Sequence, residues 1–248
     1  MDVKVVGEGE PEYAVMGAVH GDEPCGKKAI EKFLDSGIEL KKPVKFVIAN
    51  EKALEAGERY LDADLNRSFP GDPESDKYEE RLADELMDEL RGLKLLDLHT
   101  THSYPEPFAT FKHRLPGVFS MLRSTGVSNA VYFPKETGSS TSHIEKSVIV
   151  EAGHQGTEDA VENAHQVILN FLAAEGVIDR EYEVTNPAVF EYFETVEGKG
   201  YEFLAENFER VAKGEVFARR GEEKLVADEP FYPVLMSTNG YKNMLGFK

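Results

Sequence analysis

The stretch that decides the fold is YAVMGAVHGDEPCGKKAIEKFLDSG, Tyr13 to Gly37. Its opening run, 13–19, is apolar without alternation, which predicts a strand covered on both faces. Its second half places Ala29, Ile30, Phe33 and Leu34 on one helical stripe and ends at Gly37, a helix stop. Between the two stands a polar turn that begins at His20 and reaches Glu23. Strand, turn and amphipathic helix in immediate succession are the unit from which α/β sheets are assembled.

Working outward, the same alternation recurs. Strand-length apolar runs lie at VKFVIAN (44–50), LKLLDL (93–98), FATF (108–111), AVYF (130–133) and SVIVEA (147–152). Helical patterns lie between them. YEERLADELMDELRG carries Leu82, Leu86 and Leu90 on one face and stops at Gly92, and EDAVENAHQVILNFLAAEG predicts a helix from about 158 to 175, closed by Gly176. The expected fold is therefore α/β, with a mixed, largely parallel sheet flanked by helices. After Gly176 the texture changes to short β-prone runs, EYEVTNPAVFEYFETV, GEVFARRGEEKLVA and PFYPVLM, with one helical interlude over 200–211. The division this predicts is an α/β domain over 1–176 and a small β-rich C-terminal domain over 177–248.

Composition narrows the function. A formal net charge of −18 leaves no Lys/Arg stripe with which to displace counterions from phosphates, so nucleic acid is excluded as a partner. The acidity reads either as adaptation to high salt or as an ordinary solvated surface. In both cases an anionic ligand needs local arginines to overcome a repulsive field. No run approaches the ~18 consecutive apolar residues of a membrane span, and MDVKVVGEGEPEY lacks the apolar block of a signal peptide, so the expectation is a soluble cytoplasmic protein with no membrane partner. The single Cys25 excludes an internal disulfide and a thiolate metal cluster, and reads as a small buried residue on the first helix.

In open α/β sheets, ligands bind beyond the carboxyl ends of the strands. His20 follows the first run, His99 follows LKLLDL, and Glu151 sits at the last turn of SVIVEAG. If these strands are neighbours, His20, Glu23, His99 and Glu151 converge on one cleft. Two imidazoles and a carboxylate are a ligand set for Zn²⁺ that leaves a position open for water. Alone, His20-x-x-Glu23 reads first as the polar edge of a loop; joined to His99 and Glu151 it becomes a candidate metal site, with Asp97 able to orient an imidazole. His102 falls in a polar loop, and His113, His143, His154 and His165 read as surface or supporting residues. The loop ERYLDADLNRSFPGDPES adds Arg59, Asn66 and Arg67, donors suited to a carboxylate, although pairing with Asp62, Asp64 and Asp72 to fasten the loop is an equal reading.

HGDE, RYLDADLNRSFPG, DLHT and VEAG, in this order, resemble the succinylglutamate desuccinylase/aspartoacylase family, a branch of the zinc carboxypeptidase-like hydrolases, over about residues 13–155; PFYPVLMSTNGY also resembles the family's C-terminal domain. The resemblance implies a zinc-dependent amidohydrolase that removes an acyl group from a small N-acyl amino acid. His20, Glu23 and His99 would hold one Zn²⁺ per chain, Glu151 would be the general base, and Arg59 would polarise the scissile carbonyl. Asn66 and Arg67 would bind the substrate carboxylate and Tyr241 would close the site. Aspartoacylases carry an arginine shortly before the base strand; GSSTSHIEKS has only His143 and Lys146, which sets N-acetylaspartate apart from N-succinylglutamate, other N-acyl amino acids and acetylated diamino acids. A metallocarboxypeptidase, an iron site for oxygen chemistry and a non-catalytic metal- or ligand-binding protein are the competing readings, and a homo-oligomer is left open.

Overall fold

The computed structural model describes residues 1–239 and 243–248. Its elements in chain order are β1 (Asp2–Val6), β2 (Tyr13–Gly17), α1 (Cys25–Asp35), β3 (Val44–Ile48), α2 (Glu51–Ala56), α3 (Tyr78–Leu90), β4 (Lys94–Thr101), β5 (Phe108–Phe111), α4 (Pro116–Ser124), β6 (Asn129–Tyr132), α5 (Ser140–His143), β7 (Ser147–His154), α6 (Glu158–Ala174) and β8 (Ala188–Glu191). Five further strands follow: β9 (Thr195–Glu197), β10 (Glu202–Phe203), β11 (Val216–Arg220), β12 (Glu223–Val226) and β13 (Met244–Phe247).

Eight strands form one mixed sheet in the order β1-β3-β2-β4-β7-β5-β6-β8. Pairing is parallel except at β1/β3 and β5/β7. Every residue of β2 is buried, as its unbroken apolar run requires of a strand between two layers. On one face lie α1, α4 and α6, where Ile30, Phe33, Met121, Ile168 and Phe171 meet Val15, Leu96, Leu98 and Val148. On the other, Leu82, Leu86 and Leu90 of α3 pack with Leu65 and Phe69 of the preceding loop against Met16, Val47 and Leu95. The predicted α/β class is therefore the observed one, and the three predicted helices end as expected, with Gly37, Gly92 and Gly176 all at positive φ just beyond them.

The expected strand over 13–19 stops at Gly17, because Ala18 takes a left-handed backbone, φ 56°, that no strand continues. Beyond β7 the chain packs α6, then returns to the main sheet, where β8 pairs with β6. Only afterwards do β10-β11-β12 and β13-β9 make two small antiparallel sheets. The predicted helical interlude over 200–211 is not a helix. Its apolar residues serve two separate cores, Tyr201 and Val211 packing with Phe217 and Met236 while Phe208, at φ 67°, packs on Phe108 and Val131. One helical face cannot supply both. Among the described residues no helix is long and apolar enough to cross a membrane.

Candidate metal centre and cavity

β2, β4 and β7 are consecutive neighbours running in one direction, so the ends named from sequence do lie side by side. The turn after β2 is seated unusually close to the sheet. A Cβ on Gly26 would fall 2.8 Å from Gly17 Cα, and one on Gly17 would fall 2.7 Å from Gly26 backbone, so only glycines let α1 start directly against β2. That contact and the left-handed Ala18 aim His20 and Glu23 across the end of β4. β4 itself runs further than predicted, to Thr101, and His99 pairs in register with Glu151 of β7; the ladder slips one step beyond, between His99 and Thr101. Paired residues on adjacent parallel strands share a face, which puts the two side chains together.

His20, Glu23 and His99 are each no more than 4% exposed, and one donor atom from each lies within 4.8 Å of the others. His20 Nδ1 is 2.7 Å from Glu23 Oε1, and His99 Nδ1 is 3.6 Å from Glu23 Oε2. The far nitrogens face aspartates: His20 Nε2 is 3.1 Å from Asp64 Oδ1, and His99 Nε2 is 3.3 Å from Asp97 Oδ1. Asp97 is held in turn by the Ser140 hydroxyl at 2.7 Å. Two imidazoles that turn Nδ1 toward a shared carboxylate and Nε2 toward separate carboxylates have the donor set, and the outer support, of a zinc site.

The electrostatics follow from crowding. Burial opposes charge on His99, but Asp97 and Glu23 outweigh it and hold its imidazole up to about 9. Burial likewise disfavours ionised Glu23, yet His20, His99 and Arg59 together keep its carboxyl well below the ordinary range. Glu151 behaves oppositely: burial and the nearby Glu23 charge push its carboxyl well above the ordinary range against the pull of His99. Its Oε2 is buried without a hydrogen-bond partner among the described residues. A carboxylate left unsatisfied beside a cation-binding donor set is a group placed to exchange a proton.

Arg59 reaches the same centre, with Nη1 3.1 Å from Glu23 Oε1 and Nη2 2.9 Å from His20 Nε2. Asp64, which sequence reading offered only as a loop fastener, touches both His20 and Arg59. A second residue that sequence reading passed over sets the loop. Glu79, in the first turn of α3 and fully buried, accepts the backbone N–H of Leu61 at 2.7 Å, Asp62 at 2.9 Å and Ala63 at 3.0 Å, and the Asn50 amide at 3.2 Å. Asp62 Oδ2 answers by accepting the N–H of Tyr78 at 2.8 Å, the first residue of α3. Its position beside the N-terminus of a helix, three residues before an apolar helical stripe, was the available signal.

His20, Glu23, Arg59, Asp64, His99 and Glu151 line a cavity of about 500 Å³, to which Asn66, Arg67, His102, Phe133, Tyr192 and Phe247 also contribute. Arg67 is exposed, 4.0 Å from Glu136, and the side-chain oxygen of Asn66 is buried without a hydrogen-bond partner among the described residues. His143 and Lys146, the cations of GSSTSHIEKS, are not among the lining residues; His143 bonds the Thr137 carbonyl instead. Cys25 is a buried bystander as expected, its thiol on the Ala160 carbonyl and pushed up to about 12, chiefly by burial. Tyr241 lies outside the described residues.

Comparison with known proteins follows this geometry. Residues 10–174 match the succinylglutamate desuccinylase/aspartoacylase catalytic domain. An N-acyl-aromatic-L-amino acid amidohydrolase (carboxylate-forming) of Rattus norvegicus is 38% identical over 109 residues, 36% of this chain and 33% of that one. A probable aspartoacylase of Nostoc sp. is 39% identical over 59 residues, 23% of this chain and 20% of that one. The match thus spans a third or less of the length of these curated relatives. Among solved structures, the product-bound ectoine utilization protein EutE (DoeB) of Ruegeria pomeroyi superposes with a TM-score of 0.80 at 22% identity, covering 99% of this chain and 86% of that one. Murine aminoacylase 3 gives 0.71 at 21% identity, covering 96% and 95%. At such identities the structures establish the shared fold. With the catalytic-domain match spanning most of the α/β sheet, the chain belongs to the succinylglutamate desuccinylase/aspartoacylase family.

Proposed function

We propose that this protein is a zinc-dependent amidohydrolase that cleaves the linear amide of a small N-acyl amino acid. The observation that carries the reading is Glu151, whose Oε2 is buried without a hydrogen-bond partner among the described residues, in register with His99 and beside the His20, Glu23, His99 donor set. One Zn²⁺ per chain, held by those three residues, would supply Lewis acidity, polarising a carbonyl oxygen and lowering the pKa of water.

The chain's own groups account for the rest. Glu151, as carboxylate, takes a proton from the attacking water while the water oxygen bonds to the acyl carbon. Arg59 donates to the oxygen of the resulting tetrahedral adduct, a preorganised positive charge where negative charge develops. Glu151 then returns the proton to the amide nitrogen as the C–N bond breaks, leaving an acyl carboxylate and a free amino acid. A carboxyl raised by burial is suited to both halves of this exchange. Asn66 and Arg67 bind the carboxylate of the amino acid, the guanidinium by its planar fork. Tyr241 is proposed to close the site on its resemblance alone.

The test is a hydrolysis screen of the zinc-loaded protein over N-acetyl, N-formyl and N-succinyl amino acids, with short peptides alongside. Release of free amino acid from the N-acyl compounds is the expected result. Cleavage of peptides at the C-terminal residue alone would establish the carboxypeptidase reading instead, and turnover of neither would leave a binding protein.

A further inference from the structure

The cavity has a second wall that the chemistry above does not use. Three rings from segments far apart in the chain form one cluster on it: Phe133 lies 4.8 Å from Tyr192 and 5.4 Å from Phe247, and Tyr192 lies 5.0 Å from Phe247, centroid to centroid. All three are half-buried and line the cavity, with Leu235 and Met244 beside them. Aromatic clusters of this size inside a core are ordinarily closed over. Here all three rings line the same cavity as Arg67.

Position relative to Arg67 decides which part of a substrate meets this wall. The loop that follows Phe133 packs directly on the Arg67 backbone: a Cβ on Gly138 would fall 2.7 Å from the Arg67 carbonyl oxygen, and Glu136 Oε1 is 4.0 Å from Arg67 Nη1. An amino acid held by its carboxylate on Arg67 would carry its side chain, one bond away on the α-carbon, in the same cavity that Phe133 and Tyr192 line. The charge there is unsuited to a second anion. Among the described residues the lysines and arginines lining the cavity are Arg59 and Arg67, whereas Asp22, Asp64 and Glu136 all contribute carboxylates. Glu136 is itself engaged, since its Oε1 accepts the backbone N–H of Thr137, Gly138 and Ser139.

We infer that the substrate is a monoanionic N-acyl amino acid whose own side chain is apolar, seated against Phe133, Tyr192 and Phe247, rather than the N-acyl derivative of an acidic amino acid. The inference rests on the deacylase reading for its reaction but on this wall for its selectivity.

The experiment measures both quantities on the zinc-loaded protein: kcat/KM, and equilibrium binding by calorimetry, for N-acetylphenylalanine, N-acetylleucine, N-acetylaspartate and Nα-acetyl-2,4-diaminobutyrate, with N-acetylglycine as reference. One further methylene in an apolar pocket changes selectivity about 10- to 200-fold, so a preference of at least tenfold for the phenylalanine and leucine compounds over aspartate is expected, in binding as well as turnover. Phe133→Ala and Tyr192→Ala should each reduce that ratio by about tenfold when normalised to N-acetylglycine. All measurements are repeated at about 1 M salt, where charges are screened beyond ~3 Å. A preference that persists in salt supports the wall; one that collapses assigns the selectivity to the global negative charge and overturns the inference. Preference for the aspartate or diaminobutyrate compound overturns it as well. If no compound turns over but the apolar ones bind preferentially, the deacylase reading fails and the inference about the wall stands.

Discussion

The two ends of the cavity are built by different means. At the candidate metal end, His20, Glu23 and His99 sit at the termini of neighbouring strands, buried to within a few per cent, with each imidazole facing an aspartate. On the other wall, Phe133, Tyr192 and Phe247 come from three separate stretches, remain half-buried, and pack on one another. The sheet dictates the first arrangement, because strand neighbours and register leave the ligands little choice. Side-chain packing dictates the second, and packing tolerates exchange of one apolar residue for another. Candidate ligands set by strand register and a ring cluster set by side-chain contact can vary independently.

The comparison is open to attack at several strengths. The largest effect is expected from His99→Ala, which removes a ligand and its link to Asp97: elemental analysis should fall from about one zinc per chain toward none, with hydrolysis lost. Glu151→Gln comes next. It should keep zinc and lower kcat by about 10²- to 10⁴-fold, the usual worth of a positioned acid–base group; a variant with wild-type turnover would take Glu151 out of the reaction. Arg67→Lys tests the border between the two ends and should raise KM by about tenfold with kcat nearly retained, because a point charge cannot reproduce the planar fork.

The smallest effect is expected at Glu79, which touches neither end but holds the loop between Arg59 and Asn66. Glu79→Gln replaces an acceptor by an amide donor facing backbone N–H groups, a loss of about 1–3 kcal/mol of stability at neutral pH. The sign with pH is fixed. Burial opposes the Glu79 charge, but three backbone N–H groups and Asn50 lower its carboxyl below the ordinary range. Its contribution is therefore complete above the unfolded value of about 4.3 and lost as pH falls through the lower folded one. Denaturation curves for the wild type and Glu79→Gln should converge in acid; a difference that stays constant across that window would show that the carboxylate is not what holds the loop.

The metal end was legible in sequence and the far end was not, for a physical reason. His20, His99 and Glu151 interrupt or end apolar runs, and a polar residue at a strand end stands out against a hydrophobic pattern. Phe133 and Tyr192 belong to runs that read as β-prone, and an aromatic ring bound for a cavity wall looks the same in sequence as one bound for a core. Asp64 and Glu79 were obscured by their abundance, two among many acids in a chain of net charge −18. β1 escaped notice because an antiparallel edge strand such as DVKVV is short and mostly exposed, without the continuous apolar run of β2. The interlude over 200–211 misled because apolar residues destined for two cores happened to fall at helical spacing.

One consequence of the Gly17–Gly26 contact concerns entropy. With no side chain between the start of α1 and β2, the turn that carries two of the three candidate ligands has no soft layer beneath it, and its conformational freedom is removed when the sheet forms. A cation arriving there meets a backbone already ordered. The cost of ordering the turn belongs to folding and not to binding, so Gly26→Ala should weaken metal affinity even where every ligand atom is still present.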